Sequence, residues 1–168
     1  MLAFALTGDS GAGKSHFSYR LAKLFLDADF KVKYYSLEMG LSGSVKNLIE
    51  KYECQEISIV GKADIKVIKQ DTKSYDVLII DSFGKLNVKP DVFDRLRHDF
   101  PYTIFIFIFQ KTNSGGMRGG SSILFDSSAT IDIELRDGER VAVMKKSRYG
   151  TQGWEYSITN DEIAKRGE

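Results

Sequence analysis

Cysteine is nearly absent from this sequence: Cys54 is the only one. One thiol excludes an internal disulfide and a thiolate metal cage, and it suits a reducing, cytoplasmic setting. Long apolar runs are missing as well. None approaches the roughly 18–20 residues needed to cross a bilayer, and no basic segment precedes the first apolar residues, so neither a membrane anchor nor a signal peptide is expected. Charge of one sign is also lacking, since 24 Lys and Arg face 23 Asp and Glu and leave a formal net charge of +1. Without a global basic field, any contact with a polyanion must be local. The chain carries no internal repeat, low-complexity tract or linker. Its 168 residues fit one domain, 1–168, with enough chain to bury a core.

What is present is concentrated at the start. A short apolar run ending at Thr7 leads at once into Gly8-Asp-Ser-Gly-Ala-Gly-Lys-Ser15, and an amphipathic helical pattern follows. The spacing G-x-x-x-x-G-K-S in a strand–loop–helix context is that of the phosphate-binding P-loop. Glycines at 8, 11 and 13 let the backbone curl its amides toward an anion, and the helix starting near Lys14 adds the positive end of its dipole. The expected nucleotide contacts are Gly8, Asp9, Ser10, Gly11, Ala12, Gly13, Lys14, Ser15 and His16. In that frame Lys14 reaches the β- and γ-phosphates of a nucleoside triphosphate and the Ser15 hydroxyl ligates Mg²⁺. No acid–base role is assigned to His16 or His98.

Beyond the loop, Phe17, Leu21, Leu24 and Phe25 mark one face of a helix to about Asp27. Strands are expected over 32–37, 57–60, 75–81 and 102–109. Helices are expected from Ser42 or Ser44 to about Tyr52, over 63–70, and from Pro90 to about Phe100. A glycine-rich loop over 111–120, a short helix over 121–127 and strand-like runs over 130–135, 141–146 and 154–158 complete the chain. Alternating strands and helices followed by a terminal antiparallel set describe an α/β three-layer sandwich, with a mostly parallel central sheet and antiparallel C-terminal strands. Ligands of such sheets bind at the carboxyl ends of the strands. The segments 7–15 and 36–38, together with Asp81 and Gln110, all end strands, so they are expected at one edge. Asp81 closes an apolar strand in the Walker B pattern, where a carboxylate holds Mg²⁺. Glu38 ends the strand after the P-loop helix. By spacing alone it is either a carboxylate that polarises a water in line with the γ-phosphate or a solvated glutamate.

Several stretches together resemble the RecA-like ATPases, particularly the motor core of DnaB-type replicative helicases and RadA/KaiC-like proteins. Tyr35-Ser-Leu-Glu-Met39 is similar to the strand that carries their catalytic glutamate, and Leu78-Ile-Ile-Asp-Ser82 to their Walker B strand. Phe107-Ile-Phe-Gln110 is similar to the strand whose terminal glutamine senses the γ-phosphate. Gly119-Gly-Ser-Ser-Ile123 with Asp126 resembles the short helix after the DNA-contacting loop. Lys146-Ser-Arg-Tyr-Gly150 resembles an element that places a lysine and an arginine finger in a neighbouring subunit's site. The resemblance runs from Leu2 to about Ile158. It implies a RecA-like fold and Mg²⁺-dependent ATP hydrolysis with Lys14, Glu38, Gln110, Lys146 and Arg148 as catalytic residues. It also implies a site shared between subunits of a homo-oligomer, hexamer or filament, and single-stranded DNA as partner, met by Lys85 and Lys89 on one loop and Lys111 and Arg118 on another. The helicases' N-terminal domain and linker helix are expected to be missing, which would leave the isolated chain monomeric. Two other readings compete with a DNA-acting motor: a P-loop small-molecule kinase, and a KaiC-like regulatory ATPase with protein partners.

Overall fold

The computed structural model describes residues 2–89, 91–111 and 121–165, with the side chains of 121 and 122 excepted. The chain runs β1 (Leu2–Gly8), α1 (Lys14–Asp27), β2 (Val32–Ser36), α2 (Gly43–Lys51), β3 (Ser58–Val60), α3 (Ile65–Asp71) and β4 (Val77–Asp81). After a 3-10 turn over Phe83–Leu86 come α4 (Asp91–Asp99), β5 (Ile104–Ile108), α5 (Ser121–Asp126), β6 (Ala129–Arg136), β7 (Glu139–Ser147), β8 (Glu155–Ser157) and β9 (Glu162–Lys165). The nine strands form one sheet in the order β3-β2-β4-β5-β1-β6-β7-β8-β9.

The strands from β3 to β6 in that order are parallel, and β7, β8 and β9 are added antiparallel. Alternation splits the sheet's side chains between two cores. Leu6, Tyr34, Val77, Ile79, Ile106 and Ile131 face α1 and α2, where Phe17, Ala22, Val45 and Leu48 meet them. Ala5, Tyr35, Leu78, Ile80, Phe105 and Phe107 face the other side, against Ile68 of α3, Phe93 and Leu96 of α4 and Ile123 of α5. Strands buried on both faces need apolar residues at every position, which is why β4 and β5 read as unbroken apolar runs. The three-layer α/β sandwich expected from the sequence is the observed one.

Two features depart from expectation. The run from Thr130 onward, expected to begin the antiparallel set, instead lies parallel to β1, with Ala5 opposite Thr130 and Thr7 opposite Asp132. The segment between β5 and β6, which includes α5, returns the chain to the same sheet edge, and only such a crossover permits a parallel neighbour. The strand β9 was not expected at all. Its four residues are exposed, so no apolar alternation marks it. From β6 the chain reverses through Asp137 and Gly138, at φ 50° and 85°. Positive φ at both positions is the turn geometry that matches the twist of a two-residue hairpin, and it pairs Arg136 with Glu139.

Candidate nucleotide site

Because β1, β2, β4 and β5 are parallel neighbours, their carboxyl ends share one edge of the sheet. A cavity of about 490 Å³ opens there, lined among others by Gly13, Lys14, Ser15, Glu38, Asp81 and Gln110, a volume suited to a small-molecule ligand. The residues expected to converge do so.

Gly8 lies so close to β6 that a Cβ on it would come within 2.5 Å of the Ile133 carbonyl oxygen. Gly13, at φ 110°, begins α1, and no side chain caps that helix. Its first-turn amides therefore remain available to an anion. Lys14 is buried, and its ammonium donates to the Gly8 carbonyl at 2.9 Å and the Asp9 carbonyl at 2.7 Å. Burial pulls its pKa down, opposed by the charges of Glu38, Asp81, Asp9 and Asp132. The loop is thus fastened around the lysine's own side chain, which fixes where its remaining N–H points.

The Asp81 carboxylate is 3% exposed, and one of its oxygens accepts from Ser15 Oγ at 3.2 Å and from the Tyr34 hydroxyl at 3.0 Å. Tyr34 is itself steadied by Ser18 Oγ at 2.8 Å and stacked on Tyr19. Burial pushes the Asp81 pKa up. The Tyr34 hydrogen bond pulls it down, the Glu38 charge pushes it up again, and Ser15 and Lys14 pull it down. A hydroxyl and a carboxylate side by side at the mouth of an anion cradle are oxygen donors of the kind Mg²⁺ takes. Among the described residues no cluster of three or more His, Cys, Asp or Glu is poised to hold a metal. A cation here would therefore complete its shell with phosphate oxygens and water, as Mg²⁺ commonly does.

Glu38 is set by backbone rather than by its own side chain. The amides of Leu37 and Glu38 both donate to the Asp81 carbonyl, at 2.6 and 3.0 Å, so the end of β2 is tied across to the end of β4. The exposed Glu38 carboxylate then accepts from Gln110 Nε2 at 2.6 Å. Behind Gln110, Lys111 forms an ion pair with buried Asp132 at 2.6 Å, and Asp132 also accepts from Thr7 Oγ1 at 2.7 Å. The segment after β5 is thereby anchored to the strand that feeds the loop.

Of the other residues singled out, His16 lines the cavity with its Nδ1 3.0 Å from the Tyr52 hydroxyl. Burial and the nearby charges of Lys51 and Arg140 lower its pKa, which keeps the ring neutral at pH 7. Lys85 is exposed on the 3-10 turn beside Gln110, and Lys89 is exposed further on. Lys111 is committed to Asp132. Arg118 lies outside the described residues. Neither Lys146 nor Arg148 lines the cavity of its own chain. Lys146 donates to the carbonyls of Leu124 and Ser127, at 3.2 and 3.0 Å, and to that of Phe125, while Arg148 is exposed.

Sequence reasoning missed Tyr34 and Asp132 and three residues that line the cavity, Asn47, Lys51 and Arg140. Tyr34 lay within an expected strand, but nothing local tells which face of that strand meets Asp81. The Asp137-Gly138 turn is a hairpin signal that could have set the β6–β7 register, though not the proximity of Arg140 to Gly13.

The parallel sheet, the glycine-rich loop after its central strand and the antiparallel C-terminal extension define a RecA-like fold. Solved structures share it, among them these two. The flagellar accessory protein FlaH from Methanocaldococcus jannaschii superposes with a TM-score of 0.67 at 18% identity, covering 92% of this chain and 84% of that one. A KaiC-like protein from the hyperthermophilic archaeon Pyrococcus horikoshii does so with a TM-score of 0.68 at 19% identity, over 93% and 84%. No family model matches the chain, and no curated protein does.

Proposed function

We propose that the chain is a Mg²⁺-dependent ATP hydrolase of the RecA-like class, working as a DNA-acting motor core. The observation that carries the hydrolytic reading is the Gln110–Glu38 hydrogen bond beside Lys14 and Asp81. It joins a group suited to polarising water with a group suited to reporting a γ-phosphate. In this reading the α1 amides and Lys14 hold the phosphates, and Ser15 and Asp81 hold Mg²⁺, which supplies charge neutralisation when bound. Glu38 accepts a proton from the attacking water. Gln110 leaves Glu38 for the γ-phosphate and returns after its loss, beside Lys85 on the 3-10 turn. Arg148, exposed at the end of β7, is the cation offered to a neighbouring subunit.

A regulatory ATPase with protein partners is the second reading. It is favoured by the Lys111–Asp132 ion pair, which occupies one of the cations assigned to DNA, and by the fold shared with a KaiC-like protein. Phosphate release decides between them. The motor reading expects turnover stimulated by single-stranded DNA, with stimulation falling steeply as salt rises; turnover indifferent to DNA leaves the regulatory reading. In either case Glu38→Gln should bind ATP while losing about 10²–10⁴ in rate, and Lys14→Ala should lose turnover altogether. Normal turnover in Glu38→Gln would remove the hydrolytic assignment.

A further inference from the structure

Arg140 belongs to none of the sequence motifs, yet it forms one wall of the cavity. It stands near the start of β7, two residues after the Asp137–Gly138 turn. Its main chain is pinned on both sides: the amide donates to Thr159 Oγ1 at 2.9 Å, and the carbonyl accepts from the Ile158 amide at 2.8 Å. The side chain is laid against Gly13, where an added Cβ would come within 2.5 Å of Arg140 Cδ and 3.2 Å of Nε. A glycine at the start of α1 is therefore what admits this arginine to the helix N-terminus. Its Nε is shut off from solvent with no hydrogen-bond partner, so it is the guanidinium's terminal nitrogens that are offered to a ligand in the cavity.

Charge is unevenly distributed along the cavity. Glu38 and Asp81 lie at the end formed by β2 and β4, while Lys51, in the last turn of α2, and Arg140 contribute cations. Both line the same cavity as Gly13, Ser15 and His16, so they stand beside the start of α1 and the cradle. A planar guanidinium presents paired donors that match two phosphate oxygens, and it stays charged throughout the pH range.

We propose that Arg140 grips the non-transferred α- and β-phosphates of the bound nucleotide from within the same chain, with Lys51 as a second, exposed cation. This deepens the nucleotide-binding reading above and rests on it. Arg140 holds substrate triphosphate and product diphosphate alike, whereas Glu38 and Gln110 respond to the γ-phosphate. The grip is intramolecular, so it does not depend on self-association, unlike a finger supplied by a neighbour.

Calorimetric titration with ADP and with inorganic pyrophosphate tests this, on wild type, Arg140→Ala and Arg140→Lys. Arg140→Ala should weaken both ligands by a similar factor, about 10- to 100-fold. Arg140→Lys should recover part of the loss, and the ligand-free thermal midpoints should stay together. Should Arg140→Ala fail to fold, Arg140→Gln carries the same test. Unchanged affinity for both ligands in a folded variant overturns the proposal. So does a loss for ADP with none for pyrophosphate, since Arg140 would then contact the base or sugar. A wild-type chain that binds neither ligand would instead remove the nucleotide reading itself.

Discussion

Asp81 is almost entirely removed from water, with two hydroxyls on one carboxylate oxygen and a second carboxylate, Glu38, close enough to act on it. A buried carboxylate with a raised pKa destabilises the fold wherever it is ionised. The unfolded value is about 3.9, so the folded state binds the proton more tightly, and stability is lost as pH rises from there through the folded pKa. Asp81→Asn should therefore melt at a higher temperature than wild type at pH 8 in the presence of a chelator. The gap should close as pH falls toward 4, while Mg²⁺-dependent turnover is lost at every pH. Thermal melts across that range check it, and a gap that widens on acidification would contradict the sign. Tyr34 and Ser15 lessen this cost without removing it. In Cys54 the same cause leaves the group neutral. Burial pushes its thiol up to about 11, which makes it an inert packing residue.

At the scale of elements, the sheet holds its edge together through ties between strand ends. The Leu37 and Glu38 amides on the Asp81 carbonyl, and Thr7 and Lys111 on Asp132, join segments far apart in sequence. The helix α5 is fixed differently: Lys146 reaches from β7 to the Leu124 and Phe125 carbonyls in its last turn and to that of Ser127 just beyond it, and lies over the Phe125 ring. A cation at a helix C-terminus satisfies orphan carbonyls and complements the dipole. Lys146→Ala should accordingly cost about 1 kcal/mol of stability, measured by denaturant unfolding, and leave ADP affinity unchanged. A variant of normal stability but reduced cooperativity of turnover would return Lys146 to a role at a neighbour's site.

For the whole molecule, Arg148 determines whether one chain completes the site. Arg148 is exposed and does not line the cavity of its own chain, so a catalytic role for it requires a second subunit. Mixing Arg148→Ala with Glu38→Gln chains should then regenerate part of the lost turnover, because a mixed interface pairs an intact finger with an intact glutamate. Turnover per chain should also rise with protein concentration. Absence of recovery where light scattering shows association would assign the whole reaction to one chain. No helix among the described residues is long and apolar enough to cross a membrane.

The sequence alone determined the anion cradle, the element order up to β5 and the four strand ends that would carry chemistry. Those signals are local: fixed glycine spacing, unbroken apolar runs for strands buried on both faces, and acids or amides just beyond them. Tertiary structure alone decided the partner of each group. That β6 lies parallel beside β1 rather than antiparallel, that Tyr34 turns its hydroxyl to Asp81, and that Arg140 crosses Gly13 all follow from which strands become neighbours. Strand adjacency is set by the packing of two cores on either side of the sheet, a property of the assembled layers that no short stretch of chain encodes.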